Sequence, residues 1–106
     1  MSDDLGDFFA LPAFKPQEAL VGLRRQLREL KPLAEKTGTE PHRFELRGLP
    51  VIELSLDDGD TAIRARWAQR LSQRPDWRQT LLKSSAEVRR FADDMKRQLT
   101  RWEDED

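Results

Sequence analysis

The 106-residue chain contains no cysteine and a single histidine, His42. Without cysteine it has neither a disulfide framework nor thiolate chemistry. A zinc site is excluded in practice, because one histidine cannot supply the several nitrogen or sulfur ligands that zinc requires. We therefore expect neither a metal nor a cofactor.

Motifs that name a reaction are also missing. The five glycines are scattered, and none of G-x-S-x-G, G-x-x-x-x-G-K or G-x-G-x-x-G occurs. A catalytic His42 would need a nucleophile and an orienting group, and the sequence nominates neither. The acidic stretch 57–60 lacks the spacing of a calcium loop and is typical of a hairpin turn. Asp93 and Asp94 suit a solvated helix surface, with Asp93 paired to Arg97. We expect that the protein is not an enzyme.

Long apolar runs are absent as well. No apolar stretch approaches the roughly 20 residues needed to span a bilayer. The first residues are acidic, unlike the basic and then apolar start of a signal peptide. A chain of 106 residues forms at most one domain. These features predict a small cytoplasmic protein that makes no membrane contact.

Charge is abundant but unevenly placed. All 19 Lys and Arg lie between Lys15 and Arg101 together with 13 acids, which gives this span a charge of +6. The two ends together carry -7. Short acidic ends usually serve solubility, although they also can shield a basic face or compete with an anionic partner.

Apolar periodicity predicts a helix on each side of the chain. After Pro16, which suits a first helical turn, leucines recur at three- and four-residue steps at Leu20, Leu23, Leu27 and Leu30. Near the other end, Ser84 and Glu87 form a capping-box pattern. It precedes an apolar stripe of Val88, Phe91, Met95, Leu99 and Trp102. Each stripe is the face that we expect to pack on the core.

The middle of the chain alternates as antiparallel strands do. A three-residue loop at 48–50 would place Phe44 opposite Leu54 on one apolar side. Residues 60–74 suit a helix by propensity. A strand after an Asp58-Gly59 turn instead pairs Leu54 with Ile63 and sets Glu53 opposite Arg64, so we favour the strand. Residues 77–83 are a candidate fourth strand.

These elements predict an α+β fold of two layers. Three to four antiparallel strands carry an N-terminal and a C-terminal helix on one face, and the other face meets solvent. In domain terms, we expect an extended aromatic arm at 1–14, a single α+β domain at 15–102 and an acidic tail at 103–106.

The solvent-facing side of this sheet is predicted to be rich in arginine, at Arg43, Arg47, Arg64 and Arg66. Arginine on an exposed sheet can bind phosphate backbones. Platforms that bind single strands also carry aromatic side chains, and we expect none on this face. The net charge of -1 further weakens the interpretation as a nucleic-acid-binding protein.

The arm holds the chain's most distinctive cluster, formed by Phe8, Phe9, Leu11 and Phe14 among aspartates and prolines. It has three interpretations: packing on its own core, swapping onto a second copy to form a homodimer, or docking on a partner protein. Aromatic anchors dominate many interfaces. We therefore predict a protein-interaction module that docks through the arm on an unknown protein partner. The alternative is nucleic-acid binding through the four arginines.

Overall fold

The computed structural model describes residues 13–105, which form an α+β fold with two helices and a five-stranded antiparallel sheet. In chain order the elements are α1 (Pro16–Arg28), β1 (Ala34–Lys36), β2 (His42–Leu46), β3 (Leu49–Leu56), β4 (Ile63–Ala68), β5 (Trp77–Leu82) and α2 (Ser85–Asp104). The strands follow one another as a meander in the order β1-β2-β3-β4-β5. Both helices lie on one face of the sheet.

The predicted fold class is confirmed, with one strand more than expected. The extra strand is β1, whose three residues are too few for a period of two to show in the sequence. The strand option for residues 60–74 is also confirmed, because β4 occupies Ile63–Ala68.

Helix α1 begins at Pro16 and buries Leu20, Leu23 and Leu27, as its leucine stripe predicts. Glu18 lies in its first turn and Arg28 in its last, the arrangement that the helix dipole favours. The helix ends before Pro32, whose ring is incompatible with a helix interior.

The turn between β2 and β3 differs from the predicted three-residue loop. Arg47 and Gly48 form a two-residue turn with φ of 56° and 80°, the left-handed conformation of a type I′ hairpin. Phe44 therefore lies opposite Ile52 rather than Leu54, and the register shifts between Phe44 and Glu45. The predicted pairing was wrong by two residues, which keeps Phe44 on the apolar side.

The turn between β3 and β4 is longer than the predicted Asp58-Gly59 turn. The Asp57 carboxylate accepts hydrogen bonds from the Thr61 hydroxyl at 2.8 Å and from the Thr61 and Ala62 N–H groups at 2.7 and 3.2 Å. The Thr61 bonds above all lower the pKa of Asp57 below its ordinary value. Because this loop takes up residues 57–62, Leu54 pairs with Ala65, and the predicted pairing with Ile63 was wrong.

Helix α2 is capped as predicted, since the Glu87 N–H donates to the Ser84 hydroxyl at 3.2 Å. The Glu87 carboxylate accepts in turn from the Lys83 N–H at 2.9 Å. Four residues of the predicted stripe are buried: Phe91, Met95, Leu99 and Trp102. They pack with the α1 leucines on Phe44, Leu46, Ile52, Leu54 and Ile63 of the sheet.

Residues beyond the predicted domain boundary also take part in the fold. Helix α2 continues through Asp104, so the first two residues of the predicted acidic tail are helical. The Glu105 carboxylate accepts a hydrogen bond from the Leu71 N–H at 2.8 Å. One turn earlier in α2, the buried Trp102 ring donates from its Nε1–H to the Ala68 carbonyl at 3.0 Å. Neither α1 nor α2 has an apolar stretch that would let it cross a bilayer.

Candidate interaction surfaces

The open face is the side of the sheet that the helices leave uncovered, and its centre is Glu53. Glu53 is only 5% exposed, because two arginines cover it. Arg43 donates to one carboxylate oxygen at 3.1 and 2.9 Å, and Arg66 donates to the other at 3.0 Å. A single acid thus holds two of the four predicted phosphate-binding arginines. The predicted partner of Glu53 was Arg64, which the two-residue shift in register places opposite Ser55 instead.

An aromatic ring lies on the open face, contrary to expectation. The Arg66 guanidinium lies 4.8 Å from the centre of the Trp77 ring, a cation–π contact. The alternation of β5 carries the signal for this placement: Leu82 is buried, so Leu81, Gln79 and Trp77 fall on the same side. Phe44 and Trp67, the aromatic residues of β2 and β4, lie on the helix side.

The remaining two predicted arginines differ in their surroundings. Arg64 is half-buried on the open face, and within residues 13–105 it makes no ion pair. Arg47 lies in the β2–β3 turn, where its guanidinium donates to the Glu103 carbonyl at 3.5 Å. The structure therefore brings Arg43, Arg64 and Arg66 together and leaves Arg47 at the end of the sheet.

His42 lies beside an acid that is already paired. Its Nδ1 is 3.9 Å from Glu35, which bridges to Arg24 and Arg28 of α1 at 2.7 Å each. Burial by itself raises the pKa of Glu35. The hydrogen bonds and positive charges of Arg24 and Arg28 outweigh that effect, so the pKa lies below its ordinary value. Glu35 is thus held as a carboxylate that joins β1 to α1.

A groove lies on the helix side, between α2 and the strands β4 and β5. Its volume is about 510 Å³, and Trp67, Leu82, Phe91 and Met95 form its floor. Trp67 is half-buried, and its ring meets the Phe91 ring edge to face at 5.9 Å between centroids and 66° between planes. This geometry is the favourable one for aromatic pairs. Leu82, Phe91 and Met95 are almost fully buried, so the Trp67 ring is the part of the floor that a partner could reach.

The rim of the groove is basic. Arg97 pairs with Asp94, and Glu87 is engaged in the helix cap. Arg90 and Arg101 also line the groove, and both are exposed without an ion pair in the part of the chain that the structure describes. The groove could not be predicted from the sequence, because its existence depends on how α2 lies across the sheet.

The arm falls largely outside the described residues. Phe8, Phe9 and Leu11 all lie there. Phe14 is described, and it is half-buried and packed against the core. Together with Ala19 of α1 and Ser85 at the start of α2, it lines a shallow surface depression. Phe14 therefore contributes to the chain's own fold at the base of the arm.

Comparison with known proteins does not name a function. No protein-family model, curated protein or solved structure matches the chain. Over residues 13–105, no three Asp, Glu or His side chains lie together in a way that could hold a metal ion. The chemistry of the open face and the groove is therefore the guide to function.

Proposed function

We propose that the chain is a small, non-enzymatic protein-interaction module whose main contact surface is the groove between α2 and β5. The observation that carries the proposal is the half-buried Trp67 ring, which packs on the buried Phe91, beside Arg90 and Arg101, which have no ion pair within residues 13–105. Aromatic and arginine side chains are the residues most enriched where binding energy concentrates. A location in the cytoplasm is part of the proposal.

The groove fits an extended segment of a partner protein. Its floor would accept one or two apolar or aromatic side chains, and its rim would attract acidic residues next to them. Burying one large apolar side chain contributes about 1.5–3 kcal/mol, whereas exposed charge pairs contribute about 0.2–1 kcal/mol each. The apolar anchor would thus supply most of the affinity, and the arginines would select acidic sequences and speed association.

The arm is the second contact element of the proposal. Phe8, Phe9 and Leu11 remain candidate anchors on a protein partner, with Phe14 holding the base of the arm on the core. The arm also has the chemistry that the groove would accept, with aromatic residues next to acids. Binding of one chain's arm by another copy is therefore one outcome that an experiment must distinguish.

Nucleic-acid binding on the open face remains the alternative function. Trp77 favours it, because an aromatic ring beside arginines can stack on a base. Glu53 opposes it: Arg43 and Arg66 would have to leave a nearly buried carboxylate before they could bind phosphate. Of the three arginines on the open face, only Arg64 has no ion pair within residues 13–105, and this is why we rank the groove first.

The proposal is tested by affinity capture from nuclease-treated lysate, with a matched pair of double variants. Arg90→Glu with Arg101→Glu reverses the charge of the rim. Arg25→Glu with Arg89→Glu makes the same change in charge at exposed helix positions away from the groove. A third bait lacks residues 1–12 and keeps Phe14, which packs on the core, and circular dichroism confirms that each bait is folded.

A partner that the full chain and the control variant retain, and the rim variant loses, supports the groove. Loss only on removal of residues 1–12 assigns the contact to the arm instead. If nucleic acid is recovered when nuclease is omitted, and Arg64→Ala abolishes its recovery, the open face is the functional surface. Recovery of a second copy of the chain through its arm would identify the groove as a self-association site.

A further inference from the structure

The strand β5 forms a free edge of the sheet. It pairs with β4 through six consecutive residues without a bulge, and this is its only strand neighbour within residues 13–105. Within the described part of the chain, the backbone N–H and C=O groups on its other side have no strand to pair with. Proteins usually protect such an edge with proline, inward-pointing charges, a bulge or a very short strand. β5 has no proline and a single charged residue, Arg78.

The opposite edge of the sheet is protected by its length. β1 has only three residues, and Glu35 at its centre is bound to two arginines of α1. β5 is twice as long, with six residues. The two edges therefore offer very different opportunities for pairing with another strand, and β5 is the edge to examine.

β5 carries an exposed apolar side chain on the open face. Leu81 is 37% exposed and is one of two large apolar residues exposed in the described part of the chain; the other is Val21 on α1, at 50%. Leu81 shares the open face with Gln79 and the half-buried Trp77. A strand added beside β5 would cover Leu81 if it brought an apolar residue opposite it.

A second copy of β5 can supply the apolar residue opposite Leu81. When the strand pairs antiparallel with a second copy about a two-fold axis at Gln79, Trp77 of each copy lies opposite Leu81 of the other. Arg78 then lies opposite Thr80, so no like charges meet. Residues directly opposite each other share a face and interact. An axis at Thr80 would instead leave Leu81 opposite Gln79 and lose the apolar match.

We propose that the chain forms a homodimer in which β5 pairs antiparallel with β5 of a second copy about Gln79, giving a continuous ten-stranded sheet. In this dimer Trp77 lies between Arg66 of its own chain and Leu81 of the other copy. An isologous two-fold contact closes on itself, so association stops at two copies.

The interface is small, which sets the conditions for its measurement. A single strand edge with two apolar pairs buries less area than a stable interface of about 1,600 Å². We therefore expect dissociation in the micromolar range, and the purified full chain should be measured from about 1 to 100 µM. The purified chain is measured without any partner protein, so the result does not depend on what the groove binds.

The first test is the mass of the full chain by light scattering and sedimentation equilibrium. The wild type should reach the dimer mass within this range. Leu81→Lys should weaken dimerisation by tenfold or more, because it removes the apolar contact with Trp77 of the other copy and places a second cation near Arg66 of that copy. Val21→Lys places the same change at the other exposed apolar residue and should leave the dimer intact. A monomeric wild type at about 100 µM, or a dimer that Leu81→Lys does not weaken, overturns the proposal.

The second test fixes the register and remains available if Leu81→Lys does not fold. The chain has no native cysteine, so a single introduced thiol reports only its own position. Gln79→Cys should give a disulfide-linked dimer on mild oxidation, because the two Gln79 residues face each other across the axis. Arg78→Cys, one residue away, should not. Cross-linking at position 78 rather than at position 79 would reject the proposed pairing.

Discussion

The open face and the groove both present arginines next to a tryptophan, yet they differ in what those arginines contact. On the open face, Arg43 and Arg66 surround the nearly buried Glu53. Beside the groove, Arg90 and Arg101 have no acidic partner in the described part of the chain. The number of basic residues on a surface therefore does not show whether that surface can bind an acidic partner. An arginine is available to a partner only when it is not already paired with an acid of its own chain.

The largest effect is expected from removing the acid at the centre of the open face. Glu53→Ala leaves Arg43 and Arg66 without their common partner and should lower the free energy of unfolding by about 2 kcal/mol, since both arginines keep some contact with solvent. Urea denaturation measures this change. Glu45→Ala is the matched control, because Glu45 is an acid on the neighbouring strand without an ion pair within residues 13–105.

If the Glu53→Ala and Glu45→Ala variants are equally stable, the proposed difference between the open face and the groove is wrong. Equal stability would mean that the open-face arginines are as available as those of the groove. The ranking of the two proposed functions would then reverse.

Releasing the open-face arginines should also change binding. Glu53→Gln keeps the shape of the side chain and removes its charge, which frees two cations to contact phosphate. We expect about a tenfold gain in affinity for a labelled single-stranded oligonucleotide at low salt, with a steeper loss of affinity as salt rises. Fluorescence anisotropy measures both. Unchanged affinity together with tight wild-type binding would show that Glu53 does not block this face.

A smaller effect is expected at Glu35, which joins β1 to α1. Its folded pKa is lowered, so its ionised form stabilises the fold above the unfolded pKa of about 4.3. That stabilisation is lost as the pH falls through the folded pKa. Glu35→Gln should therefore cost about 1 kcal/mol at pH 7 and progressively less below the unfolded pKa. Urea denaturation of both proteins from pH 7 downward checks the trend; a cost that does not change with pH would contradict it.

The smallest effect is expected at the groove rim. Arg90→Ala with Arg101→Ala should change the free energy of unfolding by less than about 0.5 kcal/mol, because both side chains are exposed and unpaired in the described structure. Thermal denaturation next to wild type measures it. Marked destabilisation would show that these arginines serve the fold, as Arg43 and Arg66 do, and would remove the contrast between the two surfaces.

The sequence predicted the elements of this fold better than their register. The leucine stripe of α1 and the Ser84–Glu87 cap of α2 are local patterns, and both were confirmed. In both hairpins the predicted pairing was two residues off. Alternation with a period of two identifies the face of each residue but not its partner. The partner depends on turns, and the left-handed Arg47 and the Asp57-centred loop have no simple sequence signal.

The candidate surfaces were only partly predictable for the same reason. Arg43, Arg64 and Arg66 share a face because alternation requires it. Whether Glu53 binds Arg64 or Arg66 depends on register, and the groove depends on where α2 lies over the strands. Phe8, Phe9 and Leu11 lie outside the described residues, so the role of the arm stays a prediction.

The most direct test of the central claim is site-specific photocross-linking in living cells. Benzoylphenylalanine would replace either Gln98, which lines the groove, or Ser55, which lies on the open face beside Arg64. Both positions are half-buried, polar and uncharged. If the groove is the main contact surface, we expect an adduct with a different protein from position 98 and none from position 55. Adducts with protein or nucleic acid from position 55 alone would contradict it and identify the open face as the functional surface.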